Sequence, residues 1–262
     1  MEIVVLVKQV PDTEALVQIA DDGVSIKTQD IKWVMNPYDE LAVEEALRIR
    51  DAQSGTVTIL SVGTDKAQET IRTALAMGAD KGVLVSDPAA EGSDSLGTAK
   101  ILTAALKEIP YDLILVGQRA VDEDNYQVGS AVAEMLSIPQ VSIVTKVELS
   151  DGKILCTRAI EGGSVVVEAS LPALFTTQRG LNEPRYASLP GIMKAKKKPL
   201  EVKSLADIGV DAGAVGSGNR KLKIKSLNLP PERQAVKMVE GDSPAAVAAE
   251  LVKILHDEAK VI

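Results

Sequence analysis

Aromatic residues make up only 2% of the 262-residue chain, and Trp33 and Phe175 are each alone of their kind. A chain so poor in rings lacks the stacking platforms on which single-stranded nucleic acids are held, and its core must pack through Ala, Val, Leu and Ile. One cysteine, Cys156, excludes an internal disulfide, and with one histidine, His256, little is left for a zinc site or a hydrolytic triad. A net charge of −8 also argues against a nucleic-acid partner. No apolar run approaches the length that spans a bilayer, and the opening MEIVVLVKQ lacks the basic start and long apolar stretch of a secretion signal. The expectation is a soluble, cytoplasmic protein that is not embedded in a membrane.

What is present is alternation. A β-branched run at 3–7 is the kind buried on both faces of a parallel sheet. Residues 16–35 alternate apolar and polar positions around an Asp-Asp-Gly turn, which predicts a hairpin. Asn36 then reads as a helix cap, with Pro37 at the first helical position and Asp39, Glu40 and Glu44 near the positive helix end. A strand at 56–62 leads to a helix capped by Thr64 or Asp65 and closed by Gly78. Further strands at 83–86 and 113–116 flank a helix over 95–107. This β, α, β, α order predicts an α/β fold, a doubly wound and mostly parallel sheet of the adenine-nucleotide-binding type, with ligands beyond the carboxyl ends of its strands.

The stretch GQRAVDEDNYQVG, residues 117–129, occupies one of those strand ends. It has neither the Walker lysine pattern nor G-x-G-x-x-G, so alone it suits either a phosphate site or an ordinary strand-to-helix turn with Asp caps. Three more exits, at 6–10, 36–39 and 60–63, are expected to meet it at one crevice.

After Pro139 short alternating strands at 140–149, 154–160 and 164–169 predict a β-meander extension. Residues 171–177 form one more buried run, with Cys156 read as a buried strand residue. From Gln178 the chain reads as loop, and Leu189, Pro190, Ile192 and Met193 put apolar side chains on a polar segment, a docking loop. Residues 203–241 read as a long C-terminal arm, followed by a helix capped at Ser243 with Val247, Leu251 and Leu255 on one face. The expected division is a nucleotide-binding domain over 1–200 and a partner-wrapping arm and helix over 201–262.

The chain resembles the β (small) subunit of electron-transfer flavoproteins from end to end. The segments that carry the likeness are VKQVPD at 7–12, MNPYDELAVEEALR at 35–48, QETIRTALAMGADKG at 68–82, RAVDEDNYQVG at 119–129, RAIEGG and LPALFTT within 158–177, and LNEPRYASLPGIMKAKKK at 181–198. The resemblance implies an electron carrier rather than an enzyme. Its partner would be an α subunit carrying FAD, its donors acyl-CoA dehydrogenase-type flavoenzymes, and its acceptor a quinone reductase.

The resemblance also implies an AMP of structural role in this subunit, held by Leu6, Asn36, Pro37, Tyr38, Asp39, Val62 and the run Gly117, Gln118, Arg119, Ala120, Val121, Asp122, Glu123, Asp124, Asn125, Tyr126, Gln127 and Val128. Backbone amides of Tyr126, Gln127 and Val128 would cradle the phosphate, while Asp122 and Asp124 brace the turn. Val128 stands where relatives often have Thr, which removes one hydroxyl contact. In bifurcating relatives a second FAD takes the place of AMP, with NADH as donor; residues 127–129 and 8–12 lean toward that branch, whereas residues 35–38 and 42–45 and the bulk of Tyr126 lean toward AMP. Leu189 resembles a leucine anchor that plugs into the donor, and Arg158 aligns with an arginine near the flavin-domain interface. Ala159 replaces the acidic residue that often follows that arginine. The lysines at 194 and 196–198 read as a solvated run that steers toward an acidic partner. A stand-alone adenine-nucleotide sensor or ATP-using protein on the same sheet is the alternative from another class.

Overall fold

A computed structural model describes residues 1–231 and 235–262. Its strands are β1 (Glu2–Leu6), β2 (Gln9–Pro11), β3 (Trp33–Met35), β4 (Thr56–Val62), β5 (Lys81–Val85), β6 (Leu113–Gly117), β7 (Gln140–Ser150), β8 (Lys153–Ile160), β9 (Gly163–Ser170), β10 (Ala173–Thr177) and β11 (Leu200–Lys203). The helices are α1 (Pro37–Gln53), α2 (Ala67–Met77), α3 (Ser95–Leu106), α4 (Val128–Leu136), α5 (Leu189–Ala195) and α6 (Pro244–Lys253).

One 9-stranded sheet runs in the order β11-β5-β4-β1-β6-β10-β7-β8-β9. Pairing is parallel from β11 through β7 and antiparallel across β7, β8 and β9. Alternate side chains of β1 divide the core in two. Ile3 and Val5 pack with Ala42, Ala46 and Leu47 of α1 and Ile71 and Leu75 of α2. Val4 and Leu6 face the other way, toward Ala99 and Leu102 of α3 and Val132 of α4. The chain moves from β1 outward to β4 and β5, then returns to β6 on the other side of β1. The direction of winding therefore reverses between β1 and β6, and α3 and α4 begin on the same face of that switch point.

Several local expectations are corrected. The predicted hairpin over 16–35 is reduced to a single bridge between Ile19 and Ile26, because the pairing partner of Trp33–Met35 is Gln9–Pro11. Neither Thr64 nor Asp65 caps α2: the helix is entered through the backbone bonds Ala67 N–H to Thr64 O and Gln68 N–H to Asp65 O, and the Asp65 carboxylate accepts from Ser86 Oγ at 2.8 Å. The docking segment is a short helix, α5, because Ser188 accepts from the Gly191 amide at 3.1 Å and Pro190 suits a first turn.

The segment 201–215, expected to start the arm, packs on the body. Leu200–Lys203 pairs with β5, while Leu205, Ile208 and Val215 are buried against the α3 side of the sheet. Of the arm read at 203–241, residues 232–234 lie outside the described residues. Leu222, Ile224, Leu229, Val236 and Met238 are exposed, and α6 buries none of its described residues. No helix among the described residues is long and apolar enough to cross a membrane.

Candidate functional site

The crevice lies at the carboxyl ends of β1 and β6, and α1, α3 and α4 all begin beside it. Its walls include Leu6, Asn36, Asp39, Val62, Gly117, Gln118, Arg119, Ala120, Glu123, Asn125, Gln127 and Val128. The four strand exits thus meet as the topology demanded. Pro37, Tyr38, Val121, Asp122, Asp124 and Tyr126 do not line it, and neither do Arg158 and the α5 residues.

Asn36 does not cap α1 with its side chain. Its Nδ2 donates to Arg119 O at 2.9 Å and its Oδ1 accepts from Val121 N–H at 3.2 Å. An asparagine that a helix-start pattern assigns to capping instead pins the loop after β6. The fit is tight enough that Gly117 is obligatory: a Cβ there would stand 2.7 Å from Tyr38 Cβ and 2.9 Å from the Tyr38 carbonyl carbon.

Asp39 is buried and accepts from Lys8 N–H at 2.7 Å and Gly117 N–H at 3.0 Å, tying the ends of β1 and β6 to α1. Burial pushes its carboxyl up to about 7, against the hydrogen bonds from Lys8, Asn36 and Gly117 that favour the charged form. A carboxyl raised on folding stabilises the fold fully below its unfolded pKa near 3.8, and that contribution is lost as pH rises through about 7. Between those limits, stability of the wild type is expected to fall relative to Asp39→Asn by on the order of a few kcal/mol. Urea midpoints measured across that range check this, and parallel curves for the two chains would refute it.

The loop itself is acidic, and cations neutralise it. Lys8 Nζ lies 2.9 Å from Asp122 and 3.3 Å from Glu123. Burial opposes the lysine charge, but the two carboxylates outweigh it and hold its pKa above the ordinary value. Arg119 pairs with Asp124 and donates to Tyr38 Oη at 2.9 Å. Asn125 Nδ2 donates to Ser95 Oγ at 2.8 Å, joining the loop to the start of α3.

Lys8, from the 6–10 exit, also lines the crevice, as do Ser93, Ser95 and Thr98, which the sequence reading missed. The available signal was topological: α3 and α4 cover the same sheet face, so both helix starts reach the same edge.

The amides of Tyr126, Val128 and Gly129 have no acceptor among the described residues, whereas Gln127 N–H points to Asn125 Oδ1 at a long 3.4 Å. Free amides at a helix start suit a phosphate. Gln118 Oε1 is buried in the wall without a donor, a gap that a nucleoside N–H or O–H group would fill. The donor set therefore fits a nucleotide.

On the far side of the sheet a second surface is held firmly. Arg185 Nε and Nη2 grip the Glu44 carboxylate at 2.7 and 3.1 Å, and Asn182 Nδ2 donates to Leu41 O at 3.0 Å and Glu45 Oε2 at 2.8 Å. Beyond that clamp, α2 and α5 cap each other. Arg72 Nη1 donates to Ala195 O at 2.6 Å and Lys198 O at 2.7 Å, while Lys198 Nζ donates to Leu75 O at 3.0 Å and to Ala79 O. Leu189, at 80% exposure, and Met193, at 71%, stand on this anchored base. Arg158 is half-buried on β8 opposite Val144 and Val165, and its Nε is buried without a partner. Cys156 is buried in the same strand, and burial pushes its thiol up to about 12, so it is not a reactive centre. His256 is exposed near the end of the chain beside Asp257.

The electron transfer flavoprotein domain family matches residues 23–208. The chain is 41% identical to the electron transfer flavoprotein subunit beta of Bacillus subtilis (strain 168), over 100% of both chains. It is 42% identical to the subunit beta of Bradyrhizobium diazoefficiens, again over 100% of both. With the subunit beta of Bos taurus it shares 41% identity over 90% of this chain and 91% of the other. On the family match, these full-length likenesses and a doubly wound sheet of the expected kind, the chain belongs to the electron transfer flavoprotein β-subunit family.

Proposed function

We propose that this subunit holds AMP in the crevice between β1 and β6, does no bond chemistry of its own, and presents α5 to electron donors. In this reading an α subunit carries the FAD. Electrons enter it from acyl-CoA dehydrogenase-type flavoenzymes and leave toward a quinone reductase. The observation that carries the nucleotide assignment is the set of free amides at Tyr126, Val128 and Gly129 beside the unpaired Gln118 Oε1. The amides would take the phosphate, and Gln118 a polar group of the nucleoside. AMP would act as a strut, because the loop that meets it is tied to β1 by Lys8, to α1 by Asn36 and to α3 by Asn125.

Two features support the partner assignment. Exposed apolar residues of the arm and α6 suit wrapping over an α subunit, as expected for the segment after the body. Leu189 projects from a helix whose C-terminal end is held by Arg72 and whose preceding loop is clamped by Arg185, so docking would order little further chain.

Purification with the α subunit, denaturation and chromatography of the released nucleotides tests the assignment. One FAD and one AMP per heterodimer is the expected result. Two FAD and no AMP would overturn it in favour of a bifurcating subunit, and a stable monomer that hydrolyses ATP would remove it from the carrier class altogether.

A further inference from the structure

We propose that Asp94 aims the C-terminal arm at the α subunit, capping α3 with one carboxylate oxygen and holding the root of the arm with the other; the inference rests on the arm's assignment to the α subunit above. Asp94 Oδ1 accepts from the Gly97 amide at 2.9 Å, the bond of an ordinary helix cap. That bond needs a single acceptor, which Ser, Thr or Asn supplies as well. Oδ2 has a separate task. It accepts from Lys221 N–H at 2.5 Å, 127 residues further along the chain, and from Leu222 N–H at 3.2 Å. An ionised carboxylate can meet donors on both oxygens at once, because it carries no N–H or O–H of its own to turn against them. The amide of Gly97 first, and then those of Lys221 and Leu222, hold the Asp94 carboxyl below its ordinary value against the effect of burial.

The residues beside Asp94 grip the same segment. Ser93 Oγ accepts from Gly216 N–H at 2.8 Å while donating to Ala90 O at 2.7 Å, and Ser217 N–H donates to Glu91 O at 2.9 Å. Gly216, at φ 75°, passes so close to this loop that a Cβ there would stand 2.2 Å from Ala89 O. The arm is thus laid against the backbone of residues 89–94 and leaves it at Leu222. From Leu222 onward, Ile224, Leu229, Val236 and Met238 are exposed, with Leu227 N–H tied to Gly23 O at 2.8 Å. Apolar side chains left uncovered by their own body suit a partner surface, and a root already fixed means that less chain is ordered when the partner arrives. Ser95, the next residue, accepts from Asn125 through its Oγ. The root of the arm is therefore set relative to the loop after β6 as well as to α3.

The test uses the full-length chain in complex with its α subunit, as wild type, Asp94→Asn and Asp94→Ser. Both replacements keep one capping oxygen for α3 and lose the second acceptor. A fluorophore on this chain and an excess of unlabelled heterodimer give the half-life of subunit exchange, which is expected to shorten about tenfold in both variants. Hydrogen exchange by mass spectrometry is expected to quicken in peptides covering 216–222 and to stay unchanged over 95–106. Quickening over 95–106 too would mean that Asp94 acts only as a helix cap, and would overturn the proposal. If Asp94→Asn does not fold, Asp94→Ser carries the decision. The double variant Leu229→Asp/Met238→Asp tests the arm itself, and it too is expected to exchange faster. A faster double variant with unchanged half-lives at Asp94 overturns the aiming role alone, whereas an unchanged double variant overturns the arm's assignment to the α subunit and the aiming role with it.

Discussion

Gly117→Ala is expected to empty the crevice of nucleotide and to lower stability by about 3 kcal/mol or more. The added methyl meets the backbone and Cβ of Tyr38 at under 3 Å, together with Asp39 Oδ1. None of these is the free end of a flexible side chain. Tyr38 is buried and its carbonyl accepts from Thr177 Oγ1 at 2.8 Å, and Asp39 is held by two amides, one of them that of Gly117 itself. To relieve the clash α1 must retreat, which breaks the Asp39 bonds and draws Asn36 off the loop that it pins. Urea midpoints and AMP content of the purified heterodimer check both halves. Gly163→Ala serves as the control, because a Cβ at Gly163 meets nothing within 4 Å. An unchanged midpoint and AMP content for Gly117→Ala would mean that the first turn of α1 is free to shift, and that Asn36 and Asp39 do not lock the crevice.

The parallel body was legible because its strands are continuous β-branched runs and its helices carry apolar stripes, as Ile71 and Leu75 do in α2. The meander was legible from its alternation and its Asp-Gly and Glu-Gly-Gly turns. Pairing between β2 and β3 was not, since residues 9–11 and 33–35 are separated by an excursion whose own alternation imitates a hairpin. In α5, prolines and lysines hide a helix that exists because Ser188 caps it and α2 supports it. At the return to the sheet, β11 is too short and too polar to announce itself as an edge strand.

At the crevice, the order of elements was enough to bring four strand exits together. What each side chain does there was less visible. Asn36-Pro37 reads identically whether the asparagine caps a helix or pins a distant loop, and only the position of residues 119–121 decides. Ser93 just before α3 and Ser95 at its start come to the crevice only through the fold, where Asn125 reaches Ser95. Lys8 had a readable rationale, since three successive acids at 122–124 need cations nearby if a phosphate is to approach.

Arg185→Ala is expected to cost on the order of 3 kcal/mol and to reduce electron uptake from the donor, whereas Leu189→Ala is expected to reduce uptake alone. The Glu44 side chain is 5% exposed and takes two bonds from the Arg185 guanidinium and one from its amide. Without Arg185 a buried carboxylate keeps only Arg48, at 3.0 Å, as its cation. Burial alone would raise the Glu44 pKa, but Arg185 and Arg48 reverse the effect and hold it below the ordinary value of 4.5. A carboxyl depressed on folding gives stability that is present above its unfolded pKa and lost as pH falls through the folded one. The deficit of Arg185→Ala is therefore largest near neutrality and shrinks below about pH 4, which a pH series of urea midpoints detects. Leu189 touches little of the body, so its truncation leaves those midpoints in place, while loss of an apolar anchor lowers kcat/KM for the donor by about tenfold or more. FAD content should stay intact in Leu189→Ala. Unchanged donor kinetics in that variant would remove the anchor role, and an unchanged midpoint in Arg185→Ala would show that the clamp on α1 does not hold the docking surface.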